Sequence, residues 1–277
     1  MKDLFKRSVT AVIFAAVMIG VILFSPALFP FLFLIIGVIG LHEFYALSKL
    51  SGSHPSEIPG MITAILFFVK SNSTVWPIAD NVPVLLWIPL LLIILLIPMF
   101  RSVTNPFADI GATLTGIVYV FTPVIITCQM AYGFETAMPN SYHGEIIMGI
   151  LFLVWASDTG AYFVGSKLGK HRLFEKVSPK KSWEGFFGGI FLAACTGYIL
   201  AHYFNKLSVN QWIICGILAA IMGTAGDLVE SMFKRKAGVK DSGKILPGHG
   251  GILDRFDAFF FVIPSIYFYL FTEGFFR

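Results

Sequence analysis

Val209–Gly274 reads VNQWIICGILAAIMGTAGDLVESMFKRKAGVKDSGKILPGHGGILDRFDAFFFVIPSIYFYLFTEG. Two apolar stretches, 209–234 and 253–274, flank a segment crowded with cations, carboxylates, glycines and a histidine. Each stretch matches the roughly 20 apolar residues that cross about 30 Å of hydrocarbon. Both are continuously apolar rather than alternating, so they read as helices and not as barrel strands. Ionisable groups at such a boundary are costly to desolvate, which marks them as functional candidates with partners nearby.

Working outward, the same pattern fills the chain. Of 277 residues, 56% are hydrophobic and 13% are charged, with a mean hydropathy of +0.79. A soluble domain carries about a quarter charged residues. Further spans are predicted at 8–25, 27–48, 59–76, 82–100, 111–133, 146–165 and 183–204, the third interrupted by Lys70 and the Ser71-Asn72-Ser73 cluster. The fold class is therefore all-α: a polytopic integral membrane bundle of about nine transmembrane helices. The start MKDLFKR has signal-peptide character without a small-residue cleavage site before Pro26, and reads as a retained first helix. Cys128, Cys195 and Cys215 all fall in apolar stretches without metal-ligand spacing, and are expected as buried reduced thiols. Abundant Phe and Tyr suit lipid-facing packing and interface anchoring, so nucleic acid is not an expected partner.

Charge sets the expected orientation. With the N-terminus inside, the inner segments hold Lys2, Lys6, Arg7, Lys49, Arg101, the 167–181 cations and the 234–255 cations. The outer side keeps Lys206 and Arg277. That is the positive-inside bias of a chain whose N-terminus faces the cytoplasm. Up to about residue 145, Glu43 is the one acid well inside an apolar stretch. Asp158, Asp227, Glu230, Asp254, Asp257 and both long basic loops follow. Residues 1–145 are thus expected to be a scaffold and 146–277 the catalytic part, with the chemistry on the inner face.

Asp227, Glu230, Ser231 and Lys234 fall at i, i+3, i+4 and i+7, on one helix face. Lys234, Arg235 and Lys236 mark its inner end, and Asp227 lies about 10 Å below it. An intrahelical salt bridge to Lys234 is the plain structural alternative. Asp254 and Asp257 open the next span at i, i+3. An acid in a first turn is favoured by the helix dipole, but the second one enters the apolar run AFFFVI. Two acids from each helix would make an oxygen-rich site for a hard cation such as Mg²⁺, shared with substrate phosphates.

The linking segment Gly238–Ile245 resembles G-x-x-x-x-G-K but carries Ile245 where a P-loop needs Ser or Thr, and it joins membrane helices. A P-loop NTPase is excluded. Gly248, Gly250 and Gly251 around His249 still allow backbone N–H groups close approach to an anion. Ser178-Pro179-Lys180-Lys181-Ser182-Trp183-Glu184-Gly185 places lysines and a serine at a helix start, which suits a phosphate. Asp158-Thr159-Gly160 mimics an aspartic-protease triplet, but the G-x-G-D pattern of the intramembrane enzymes fails at Thr224. Asp158 is instead assigned to the inner site.

Ser231, Lys234-Arg235, Lys240-Asp241, Gly243, Pro247, His249-Gly250-Gly251, Asp254-Arg255 and Asp257 together resemble the signature of the phosphatidate cytidylyltransferases, or CDP-diacylglycerol synthases. The S-P-K-K-S-x-E-G run and the Asp158 span are also similar to that family. The resemblance implies CTP plus phosphatidic acid giving CDP-diacylglycerol and pyrophosphate at the cytoplasmic face of a bacterial-type inner membrane. It implies Mg²⁺ with K⁺ as a second ion, and a homodimer, whose interface is expected in the N-terminal helices. Asp227, Glu230, Asp254 and Asp257 become the expected metal ligands, with Lys234, Arg235 and His249 catalytic beside the three aspartates. Asp158, Lys180, Lys181, Ser182, Glu184, Ser231, Lys240, Asp241 and Arg255 become expected substrate contacts. A CTP-dependent lipid-alcohol kinase and an ion-relaying transporter are the competing classes.

Overall fold

A computed structural model describes residues 2–73, 75, 87–101, 105–133, 142–246, 248 and 250–275. The helices are α1 (Lys2–Phe24), α2 (Phe29–Leu50), α3 (Glu57–Ser71), α4 (Trp87–Leu96), α5 (Pro106–Gly116), α6 (Thr122–Tyr132), α7 (Gly144–Leu168), α8 (Trp183–Tyr203), α9 (Val209–Lys236) and α10 (Leu253–Thr272). A π-helical turn, Ile117–Phe121, joins α5 and α6 into one rod, so each of the nine expected spans is helical. Among the described residues, six helices are long and apolar enough to cross a membrane, with shorter apolar helices at Val9–Phe24 and Ile88–Phe100.

α3 is the odd member. Its 15 residues rise about 22 Å, short of the roughly 30 Å of a hydrocarbon core. It ends at Asn72, whose side-chain amide donates back to the Phe68 carbonyl at 2.8 Å. The expected interruption near Ser71-Asn72-Ser73 is thus where the helix stops.

Local chemistry sets the other boundaries. Asn105 accepts a hydrogen bond from the Ala108 N–H at 3.1 Å, with Pro106 at the first helical position. Ser208 and Gln211 form a reciprocal capping box before α9. The two segments missed as elements are strands: β1 (Arg172–Phe174) and β2 (Ser178–Ser182) pair antiparallel, with an irregularity between Arg172 and Phe174. They form a small hairpin between the C-terminal end of α7 and the N-terminal end of α8, and the molecule remains an all-α membrane bundle.

Close helix crossings rest on glycines, as expected where apolar burial gives no net drive between helices in lipid. Gly160 of α7 faces the Gly188 backbone of α8, and Gly216 of α9 faces the Ala193 backbone. At the centre, Phe33, Phe121, Phe256, Phe259 and Phe260 are buried where α2, α6 and α10 meet. Cys128 and Cys215 are buried free thiols, whereas Cys195 is also free but exposed on the outer surface of α8, which corrects the expectation of three buried thiols.

Candidate active site

The site is built where α9 and α10 approach most closely. Gly226 makes that approach possible, since a Cβ there would sit 3.1 Å from the Ala258 Cα and would collide with the Asp257 carbonyl. Its neighbour Asp227 is therefore brought to the same side as Asp257, and the two acids line one cavity. Lys181, reaching in from β2, donates to Asp227 Oδ2 at 2.5 Å.

One turn along α9 stands a second acid pair. Lys234 Nζ bridges Glu230 of its own helix and Asp254 Oδ1 of α10, the latter at 2.7 Å. The plain intrahelical salt bridge is present, but it also ties two helices together. The other oxygen of Asp254 accepts from Ser242 N at 2.9 Å, Ser242 Oγ at 2.9 Å and Gly251 N at 2.8 Å. Glu230 Oε1 is buried without a hydrogen-bond partner.

The four acids expected around one ion thus stand as two pairs. Among the described residues, no three His, Cys, Asp or Glu side chains are arranged to hold a metal. Asp254 has both oxygens saturated by protein donors. Asp227 and Asp257 each have one oxygen engaged, by Lys181 and by the Ala258 N–H, and both residues line a cavity. Mg²⁺ is commonly held by one or two carboxylates plus substrate phosphates rather than by an all-protein cage, so this pair fits it.

Two cavities meet here. One, of about 570 Å³, lies between α1, α7, α9 and α10 and is lined by both acid pairs, Ser231, Arg255 and apolar groups such as Phe14 and Trp155. The other, of about 540 Å³, lies between α7, the hairpin, α8 and α9, with Arg172, Lys180 and Tyr162 in its wall. Asp158, Lys181 and Asp227 line both. In the first cavity five acids face three cations, Lys181, Lys234 and Arg255, an excess of two negative charges when all are ionised.

Other expected residues take different places. Ser182 caps α8, accepting from Gly185 N at 3.2 Å, and still lines the second cavity. Glu184 lines neither; it accepts from the His171 backbone N–H and pairs with its ring at 2.6 Å, clasping the hairpin to α8. Arg235, Lys240 and Asp241 are exposed and line neither cavity. His249 and Pro247 lie outside the described residues.

Two residues of the first half reach this region without having been singled out for it. Glu43 of α2 accepts from Leu253 N at 2.8 Å, and its sequence signal was its isolation in an apolar stretch. Tyr119, in the π-helical turn, is buried with an unpartnered hydroxyl near the acids, its ring packed on Phe233 and Phe260. Nothing in the local sequence distinguishes it from its apolar neighbours.

Comparison with known proteins supplies the context for this geometry. A model of the cytidylyltransferase family matches residues 5–272. The chain is similar to the phosphatidate cytidylyltransferase of Staphylococcus aureus (strain COL), 33% identical over 94% of this chain and 96% of that one. It is similar to the one of Bacillus subtilis (strain 168), 33% identical over 98% of both chains. A Staphylococcus epidermidis phosphatidate cytidylyltransferase (strain ATCC 12228) is 34% identical over 94% of this chain and 96% of its own.

Proposed function

Because the chain belongs to the cytidylyltransferase family, we propose that it transfers a cytidylyl group from CTP to phosphatidic acid, giving CDP-diacylglycerol and pyrophosphate. The observation that carries the reading at the level of residues is the pair of cavities joined at Lys181 and Asp227. A transfer between two substrates needs two spaces that open onto the same reacting atoms, and both volumes lie in the ligand-sized range of about 300–1,000 Å³.

The obstacle in this reaction is electrostatic. A lipid phosphate attacks the α-phosphorus of a nucleotide that is itself anionic; a new P–O bond forms as the bond to the β-phosphate breaks. The phosphate monoester is already ionised near neutral pH, so no strong general base is required of the chain. What the residues provide is placement and charge. Lys181 and Arg255 line the first cavity with cations for phosphate oxygens, and Lys180 and Arg172 do so in the second. Lys234 is held between two carboxylates, which keeps its ammonium fixed rather than free to follow a departing group.

With all five acids ionised, the excess of negative charge in the first cavity repels both substrates unless a cation offsets it. Asp227 and Asp257 are the residues that would hold a magnesium ion, which would supply that positive charge to the triphosphate and to the leaving pyrophosphate. Asp158, on the wall shared by the cavities, orients Lys181 or a substrate group toward the same point.

The cavities lie at the end of the bundle that carries the hairpin and the Lys234–Lys236 run. The positive-inside bias puts that end, with the N-terminus, in the cytoplasm, so the site opens to soluble CTP. Phosphatidate enters sideways from the inner leaflet, its acyl chains remaining in lipid. The N-terminal helices act as the scaffold and carry the contacts of a homodimer.

The test is product analysis. Purified protein, Mg²⁺ and phosphatidic acid are supplied with CTP labelled on the α- or the γ-phosphate. The α-label is expected in the lipid and the γ-label in pyrophosphate. Lipid that carries the γ-label, with CDP released, overturns the reading in favour of a CTP-dependent lipid kinase.

A further inference from the structure

The inference concerns Glu43, and it rests on the reading of Asp254 and Lys234 as part of the active site. Glu43 is in α2, in the N-terminal half, 210 positions from the backbone group it binds. It is 4% exposed. Such a carboxylate is costly to bury, and a membrane span retains one only where it has specific partners.

Its partners are all in the segment that re-enters the membrane as α10. Oε2 accepts from Leu253 N at 2.8 Å and lies 3.3 Å from Ser242 Oγ. Leu253 is the first residue of α10, and Ile252, at the cap position, offers no side-chain cap. Glu43 therefore does from a distant helix what a capping residue does locally: it satisfies an orphan N–H at the start of the helix that carries Asp254 and Asp257.

The glycines of the segment fit the same account. A Cβ at Gly243 or at Gly251 would collide with the Glu43 carboxylate. Both positions are held open for this acid, so at least part of the glycine pattern serves Glu43 rather than a phosphate. Ser242 extends the link, since its hydroxyl and N–H both reach Asp254 Oδ2 at 2.9 Å. A chain of contacts then runs Glu43–Ser242–Asp254–Lys234–Glu230.

The geometry points to Glu43 as a positioning residue for the cytidylyl transfer: an acid of the scaffold that seats the 242–253 segment and thereby sets Asp254 and Lys234. It touches neither cavity, and it acts through the backbone and Ser242. The N-terminal half is accordingly part of the catalytic apparatus.

The experiment compares Glu43→Gln, which keeps an acceptor of the same reach, with Glu43→Ala, which leaves Leu253 N–H unpaired. Turnover and hydrogen–deuterium exchange across 242–254 are read on full-length purified protein. Glu43→Ala is expected to lower kcat by about a hundredfold, the scale of a 1 Å misplacement, with KM for CTP little changed. Exchange at Leu253 should rise in the same variant, and Glu43→Gln should stay near the native chain in both readouts. Native kcat in Glu43→Ala, or lost kcat without faster exchange, overturns the inference. Should Glu43→Ala not fold, Glu43→Asp decides: one methylene shorter, it must lose turnover while Glu43→Gln keeps it, and equal activity in the two overturns the proposal. Asp254→Asn is the control for the site itself. If that variant turns over normally, the reading of the site has failed whatever Glu43 does.

Discussion

Replacing Lys234 by methionine tests how the two helices are held and what the site needs. The side chain is 12% exposed, and its partners Glu230 and Asp254 are 1% and 6% exposed. Solvent screens such a triad little, so the small values typical of surface ion pairs do not apply. Methionine keeps most of the volume and removes the charge, leaving two buried carboxylates with no cation between them. Breaking a buried pair by removing one partner costs about 3–5 kcal/mol. With two acids orphaned, the upper part of that range is expected. Unfolding in a denaturing-detergent titration, followed by tryptophan fluorescence, reads the stability. The Lys234→Met/Glu230→Gln double variant removes one orphan and should recover about 1–3 kcal/mol, a coupling that independent sites do not give. Turnover should fall by about a hundredfold or more, equivalent to about 2.7 kcal/mol of transition-state stabilisation. Native stability in Lys234→Met, or strict additivity in the double variant, would refute the argument that this ammonium bridges α9 and α10.

Asp227→Asn and Asp257→Asn should each abolish CTP-dependent turnover while the protein inserts and elutes as the native chain does; retained turnover in both removes their metal role. Gly226→Ala puts a methyl against the Asp257 carbonyl, so it should destabilise by about 1–3 kcal/mol and lower turnover, as read by the same titration and assay. Gly111→Ala, in α5 with nothing within 4 Å, should instead be neutral or stabilising by up to about 1 kcal/mol. Lys49 pairs with Glu57 at a half-exposed position away from both cavities; Lys49→Ala should leave turnover unchanged and cost no more than about 1 kcal/mol.

The helices were legible because a bilayer permits few solutions: continuous apolar runs have to be helical, and their count follows from their length. One edge moved by about five residues where a cap decides it, at Asn105, whereas the Ser208 cap stands at the expected start of α9. The hairpin was not legible. Strands of three and five residues, the second with two adjacent lysines, have no periodicity to set them apart from a basic loop. At the site, the face shared by Asp227, Glu230, Ser231 and Lys234 followed from helical spacing, and these four do line one cavity.

Which acid meets which cation did not follow from spacing, because it depends on crossings between elements far apart in the chain. Lys181 comes from the hairpin to Asp227, and Lys234 is taken by Glu230 and Asp254. Glu184 illustrates the same limit. A charged residue within a family motif turned out to clasp His171 rather than to face a cavity. Tyr119 depends on a π-helical turn, which leaves no compositional trace.

The most direct measurement is Mn²⁺ binding, read by electron paramagnetic resonance on purified protein with and without CTP. Tight CTP-dependent binding should appear in the native chain and vanish in both Asp227→Asn and Asp257→Asn, while Asp241→Asn, on the exposed loop, retains it. Undiminished binding in the two variants would mean that the nucleotide's cation is held elsewhere, and the meeting of α9 with α10 would no longer explain the reaction.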